Sequence, residues 1–222
     1  MTTPTLPKAR RDRGMEGMIA KWYTTNTSRT LDEFTKLARR IASQLPNGST
    51  VLEVAPGPGY FCIELAKLGQ YSITGLDISH TFVEIAGKKA AEAGVHVNFR
   101  QGNASSMPLP NDTFDFLLCR AAFKNFGQPV LALQEMYRVL KPSGRGLIID
   151  LSRDASPESM DHSVDAMGLT TINKVLTKLI FRLSLRRSAY TKEQFQQMVA
   201  QAKFRSVEIQ EVDIQFEILV TK

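Results

Sequence analysis

Apolar positions along this chain follow two periods that take turns. Leu31, Phe34, Leu37, Ala38, Ile41 and Leu45 recur at the spacing of one helix face, behind a Thr30/Glu33 capping box, and Pro46-Asn47-Gly48 stops them. Short apolar, β-branched runs then alternate with helical stretches. Residues 51–54 predict a buried strand, 60–68 a helix closed by Gly69, and 72–76 a second strand ending at Asp77. Ser79 caps a helix over 79–93, with Gly94 as its stop, and residues 95–100 and 114–119 read as further strands. A helix over 129–140, a Lys141-Pro142-Ser143-Gly144 turn and a strand over 146–151 complete the series. Strands separated by helices give β-α-β units and a parallel sheet covered on both faces.

The rhythm then breaks. Residues 152–190 hold no strand; they read as a polar loop, a short helix from about 157 and a basic amphipathic helix over 171–187. Thr191 and Gln194 form another capping box, opening a helix to about 202. The strand-like runs 206–212 and 215–221 are joined too tightly for a crossover helix, so they form an antiparallel hairpin. The expected class is α/β: a doubly wound, mostly parallel seven-stranded sheet with a C-terminal antiparallel hairpin and helical cover segments. One domain is expected over 1–222. Residues 1–30 cover the site, 45–151 form the core, 152–190 are an insertion or lid, and 191–222 supply the last helix and hairpin.

Composition adds bounds. A chain of 222 residues buries roughly 70% of its unfolded surface and needs no disulfide or metal staple. Cys62 and Cys119 both lie in apolar stretches, which favours reduced thiols and a cytoplasmic setting. No apolar run reaches the ~18 residues of a membrane span, and the first fifteen residues lack a signal-like apolar stretch. The net charge of +6 is mild for this size and selects no partner. Lys174, Lys178, Arg182 and Arg186 recur on one face of the 171–187 helix, opening peripheral contact with an anionic membrane or an acidic substrate. The simpler reading is a solvated face.

The candidate chemistry lies after the first strand. In Val51-Leu-Glu53-Val-Ala55-Pro-Gly57-Pro-Gly59-Tyr60, two glycines leave a buried strand and open a helix. Backbone can approach a ligand closely there, with helix N–H groups aimed at it. Asp77 ends the next strand, where a carboxylate can accept both hydroxyls of a ribose. A nicotinamide or flavin site wants a third glycine where this chain has Cys62, and Glu53 would oppose a pyrophosphate. A cofactor with positive charge and no phosphate, such as S-adenosylmethionine, fits better.

These residues resemble motif I of the class I S-adenosylmethionine-dependent methyltransferases, most like the small-molecule, ubiquinone/menaquinone-type, methyltransferase type 11-like branch with its Rossmann-like fold. Gly75-Leu-Asp77-Ile78-Ser79, Gly102-Asn103-Ala104, Phe114-Asp115-Phe-Leu-Leu-Cys119-Arg120 and Glu135-Met-Tyr137-Arg138-Val-Leu-Lys141-Pro142-Ser-Gly144 match further segments in order. The resemblance covers roughly residues 45–150. It implies S-adenosylmethionine as cofactor, S-adenosylhomocysteine as product, and cofactor contacts from Glu53, Ala55, Gly57, Gly59, Tyr60, Asp77, Ile78, Asn103, Ala104 and Arg120. Ala55 stands for the first glycine of the loop, and Asn103 for the commoner aspartate, its amide oxygen still able to accept from the adenine amino group. The His-His pair frequent after the fourth strand is replaced by Ala121-Ala122-Phe123-Lys124-Asn125-Phe126.

The implied activity is methyl transfer to a small-molecule acceptor, whose identity the sequence leaves open. Tyr23, Lys124, Asp154 and His162 are candidate bases, none singled out; no metal-ligand spacing is present. Two alternatives stay open. One is a non-catalytic or regulatory S-adenosylmethionine-binding protein, suggested by the missing histidine pair. The other is a nucleic-acid methyltransferase, against which stand the absence of an RNA-binding module and of an Asn/Asp-Pro-Pro-Tyr signature. The oligomeric state is not legible.

Overall fold

A computed structural model describes Asp12 and residues 14–27, 31–166, 178 and 188–222. Seven strands form one sheet: β1 (Thr50–Val54), β2 (Ser72–Asp77), β3 (Asn98–Gln101), β4 (Phe114–Arg120), β5 (Leu140–Leu151), β6 (Ser206–Val212) and β7 (Gln215–Thr221). Their order is β3-β2-β1-β4-β5-β7-β6. The first five run parallel, and β7 is antiparallel to both β5 and β6. The described helices are α1 (Gly17–Thr27), α2 (Leu31–Ala42), α3 (Tyr60–Ala66), α4 (His80–Glu92), α5 (Pro129–Val139), α6 (Pro157–Ala166) and α7 (Lys192–Val199). The expected α/β sheet with its terminal hairpin is therefore the observed fold. The Thr30 cap and the 171–187 helix, Lys178 apart, lie outside the described residues.

Alternation inside the strands explains the two layers of helices. Leu52 and Val54 of β1 and Leu117 and Cys119 of β4 meet Leu133 and Met136 of α5 and Phe195 and Met198 of α7. Val51, Phe116 and Leu118 point to the other face, against Phe34, Leu37 and Ile41 of α2 and Phe61 and Leu65 of α3. Both sets are apolar, as a sheet buried on both sides requires.

Two boundaries differ from the sequence pattern. β3 starts at Asn98, later than expected, because α4 closes on Gly94 (φ 68°) and Val95 donates to Ala90 O at 3.1 Å. The apolar Val95 is thereby spent on the helix end. The 141–144 turn is an irregularity inside β5: pairing shifts from Phe114–Leu140 to Phe116–Arg145, with Ser143 at φ 64°. The Thr191 capping box is present as expected, opening α7.

Candidate functional site

A cavity of about 350 Å³ opens at the carboxyl ends of β1, β2 and β4, where strand order reverses between β1 and β4. Ala55, Gly57, Asp77, Ile78, Asn103, Ala104 and Arg120 line it. Glu53, Gly59 and Tyr60 lie close by in sequence but are not on its wall. The N-terminal segment contributes Asp12, Gly14, Met15 and Tyr23, and the loop after β4 contributes Ala121, Ala122, Asn125 and Phe126.

The loop after β1 is held in shape by Asp77. Its Oδ2 accepts from Gly57 N at 3.0 Å and its Oδ1 from Ser79 N at 2.9 Å. One buried carboxylate thus fixes both turns that leave β1 and β2. Each of its oxygens keeps a second lone pair. Burial raises the Asp77 pKa, against the opposing pull of the Ser79 and Gly57 amides.

The two glycines do different work. A Cβ on Gly57 would meet only the Tyr23 ring at 3.9 Å, so this glycine leaves space beside the cavity. A Cβ on Gly59 would lie 2.6 Å from Phe99 and 2.9 Å from the Ala86 methyl, and Gly59 sits at φ 78°. Gly59 therefore lets α3 start close against β3 and α4. Ala55 holds φ 58°, a conformation glycine adopts freely. Where the sequence suggests only a narrower loop, the alanine also stores backbone strain, roughly 1 kcal/mol.

Glu53 is buried beneath the loop and its Oε2 accepts from Cys62 Sγ at 2.9 Å. Desolvation pushes its pKa from 4.5 up to about 7, while the Cys62 hydrogen bond and the Arg120 charge pull it down. A carboxyl raised on folding favours the native state fully below its unfolded pKa and loses that advantage as pH climbs. Stability relative to Glu53→Gln is expected to fall between pH 4.5 and 7 and level off above, by at most about 3 kcal/mol. Denaturant melts of both proteins at pH 5 and pH 8 check this; equal differences at the two pH values would refute it.

Tyr60 turns away from the cavity: its hydroxyl donates to Thr24 O at 3.0 Å, pinning α1 to α3. Arg120 donates to Glu33 at 2.6 Å and lies 4.4 Å over the Phe34 ring. Of the four candidate bases, Tyr23 lines the cavity, edge-on to Phe82 with centroids 5.8 Å apart. Lys124 is buried, its Nζ donating to Asp150 Oδ1 at 2.9 Å and to Ala121 O at 2.7 Å. Asp154 is exposed and accepts from Lys192 N at 2.9 Å, and His162 is exposed on α6. Among the described residues no cluster of His, Cys, Asp or Glu could hold a metal.

Sequence reasoning passes over Asp12, Met15, Phe82 and Asn125. Glu16 carried no signal either, yet it caps α4, accepting from His80 N at 3.0 Å and Thr81 N at 3.1 Å. Ser79 Oγ donates to Met15 O at 2.6 Å, fastening the same segment to the cavity rim.

Residues 52–148 match the protein family described as "Methyltransferase domain". That core is similar to the type 11 branch of the class I S-adenosylmethionine-dependent methyltransferases. The chain is 40% identical over 101 residues to the uncharacterised methyltransferase YcgJ of Bacillus subtilis, covering 45% of this chain and 40% of that protein. It is 36% identical over 107 residues to the demethylmenaquinone methyltransferase of Deinococcus radiodurans, covering 48% and 44%. The matched stretch thus spans less than half the length of either relative. A candidate S-adenosylmethionine-dependent methyltransferase from Methanococcus maripaludis has the same fold, with a TM-score of 0.77 and 23% identity over 97% of both chains. S-adenosylmethionine is the cofactor that this methyltransferase family implies. The wall residues fit a phosphate-free nucleoside. Arg120 is the one cationic side chain lining the cavity among the described residues, and Glu33 already pairs with it.

Proposed function

We propose that the chain transfers a methyl group from S-adenosylmethionine to a small apolar acceptor, an aromatic hydroxyl compound of the quinol or phenol class. The observation that carries this reading is Asp77, which binds the glycine loop through one oxygen and the start of the next turn through the other. S-adenosylmethionine supplies, when bound, a methyl on a positively charged sulfur that is displaced in line with a neutral thioether leaving.

The chain's own part is positioning and exclusion of water. Asp77 is assigned to the ribose hydroxyls, Ile78 and Ala104 to the faces of the base, and the Ala55–Gly57 backbone to the amino-acid end. Glu53 and Gly59 act from behind the wall, shaping that loop, and Tyr60 acts through α1. Ala121, Ala122 and Phe126 make the acceptor side apolar, and a cavity of about 350 Å³ matches small-ligand sites of roughly 300–1,000 Å³. Tyr23 is the candidate for moving the acceptor's proton, since it lines the cavity while Lys124, Asp154 and His162 do not. The likeness to the demethylmenaquinone methyltransferase supports the acceptor class. No described helix is long and apolar enough to cross a membrane.

Calorimetry with S-adenosylhomocysteine is expected to give a micromolar Kd, about −8 kcal/mol, with NADH inert. Quinols, phenols and amines incubated with methyl-labelled cofactor are expected to show label in a hydroxyl-bearing aromatic. Preference for NADH would reverse the cofactor assignment. Tight S-adenosylhomocysteine binding with a blank acceptor screen would favour a binding protein that transfers nothing.

A further inference from the structure

Asp12 reaches the cavity wall from the N-terminal segment. Its Oδ2 accepts from Asn103 Nδ2 at 3.0 Å, and its Oδ1 accepts from the backbone N–H of Gly127. One carboxylate thereby ties the turn after β3 to the loop after β4. The pairing also fixes which way Asn103 points. The Asn103 oxygen accepts from Ser105 N at 2.8 Å. The reverse orientation would set that oxygen against the Asp12 carboxylate and the NH₂ group against an N–H.

The sheet order then decides what Asp12 sits beside. The glycine loop follows β1, Asp77 ends β2, and β3 lies one strand further out. A nucleoside whose ribose rests on Asp77 extends its base toward the turn after β3, at Gly102 and Asn103. Adenine presents an amino donor on that edge and needs an acceptor. Asn103 offers its donor end on this side, already bound to Asp12, and its oxygen is engaged by Ser105. A carboxylate has about four acceptor positions, and the contacts above use two of those on Asp12. We propose that Asp12 accepts a hydrogen bond from the exocyclic amino group of adenine, so that the N-terminal segment, and not the sheet core alone, reads the base.

This assignment rests on the S-adenosylmethionine reading above. Calorimetry on the full chain and on Asp12→Ala would use two ligands: S-adenosylhomocysteine and its 6-deamino analogue, which lacks only the amino group. The unaltered chain is expected to favour S-adenosylhomocysteine by about tenfold or more, the strength of a hydrogen bond to a charged acceptor. Asp12→Ala is expected to bind the two ligands within about twofold of each other, the signature of a removed pairwise interaction. Equal binding of both ligands by the unaltered chain would overturn the assignment without reference to any variant. So would an Asp12→Ala protein that weakens both ligands by one factor, since Asp12 would then only fasten the segment. Failure of the unaltered chain to bind S-adenosylhomocysteine at all would instead overturn the cofactor reading itself.

Discussion

Asp150→Ala is expected to destabilise the protein by about 3–5 kcal/mol, the cost of leaving a buried charge without its partner. Asp150 and Lys124 are both almost wholly buried and form an ion pair at 2.9 Å. Asp150 does more than balance charge. Its Oδ2 accepts from Lys124 N at 2.8 Å and its Oδ1 from Leu151 N at 2.7 Å. The alanine variant leaves the Lys124 ammonium with only Ala121 O and strips a buried amide of its acceptor. Ala121 itself holds φ 57° at the cavity mouth, so the pair maintains a strained turn against the site. Adding Lys124→Met removes the orphaned charge and is expected to recover much of the loss. Chemical denaturation of the two single variants and the double variant measures this. A loss below about 1 kcal/mol for Asp150→Ala, as for an exposed pair, would show that the pair is hydrated.

That pair marks where sequence reading stops. Lys124 and Asp150 are twenty-six positions apart, and nothing local says they meet. A lysine after the fourth strand reads as a free base, whereas β4 and β5 lie side by side and bury it against Asp150. Most of the sheet was legible because its signal is local. Val51 and Leu52 face opposite layers and both are apolar, and the hairpin has only Asp213 and Ile214 between its strands. The glycine loop and Asp77 were legible for the same reason: strand, turn and carboxylate follow at short range. Asp12 and Glu16 were not. Each is an isolated acid in a polar segment, and its role exists only because the chain folds back over α4 and the turn after β3. Val95 misled because an apolar β-branched residue packs equally well in a helix-closing turn.

Asp77→Ala is expected to weaken S-adenosylhomocysteine binding by about 3–6 kcal/mol, two hydrogen bonds to a charged acceptor at roughly 1.5–3 kcal/mol each. That places the Kd some 10²–10⁴-fold higher. The same carboxylate holds Gly57 N and Ser79 N, so alanine also frees the loop, and a loss of binding alone would not separate the two roles. Asp77→Asn does. Its amide oxygen can keep one of the backbone N–H partners, but its NH₂ end cannot accept from the other N–H or from a hydroxyl at that end. The asparagine variant is expected to unfold closer to the original protein than the alanine variant, yet to lose most of the same affinity. A 2′-deoxyribose analogue of S-adenosylhomocysteine gives the decisive comparison. If Asp77 accepts from the ribose, removing the 2′-hydroxyl costs the original protein about tenfold and costs the asparagine variant less. An equal penalty in both proteins would confine Asp77 to shaping the loop and move ribose recognition elsewhere on the wall.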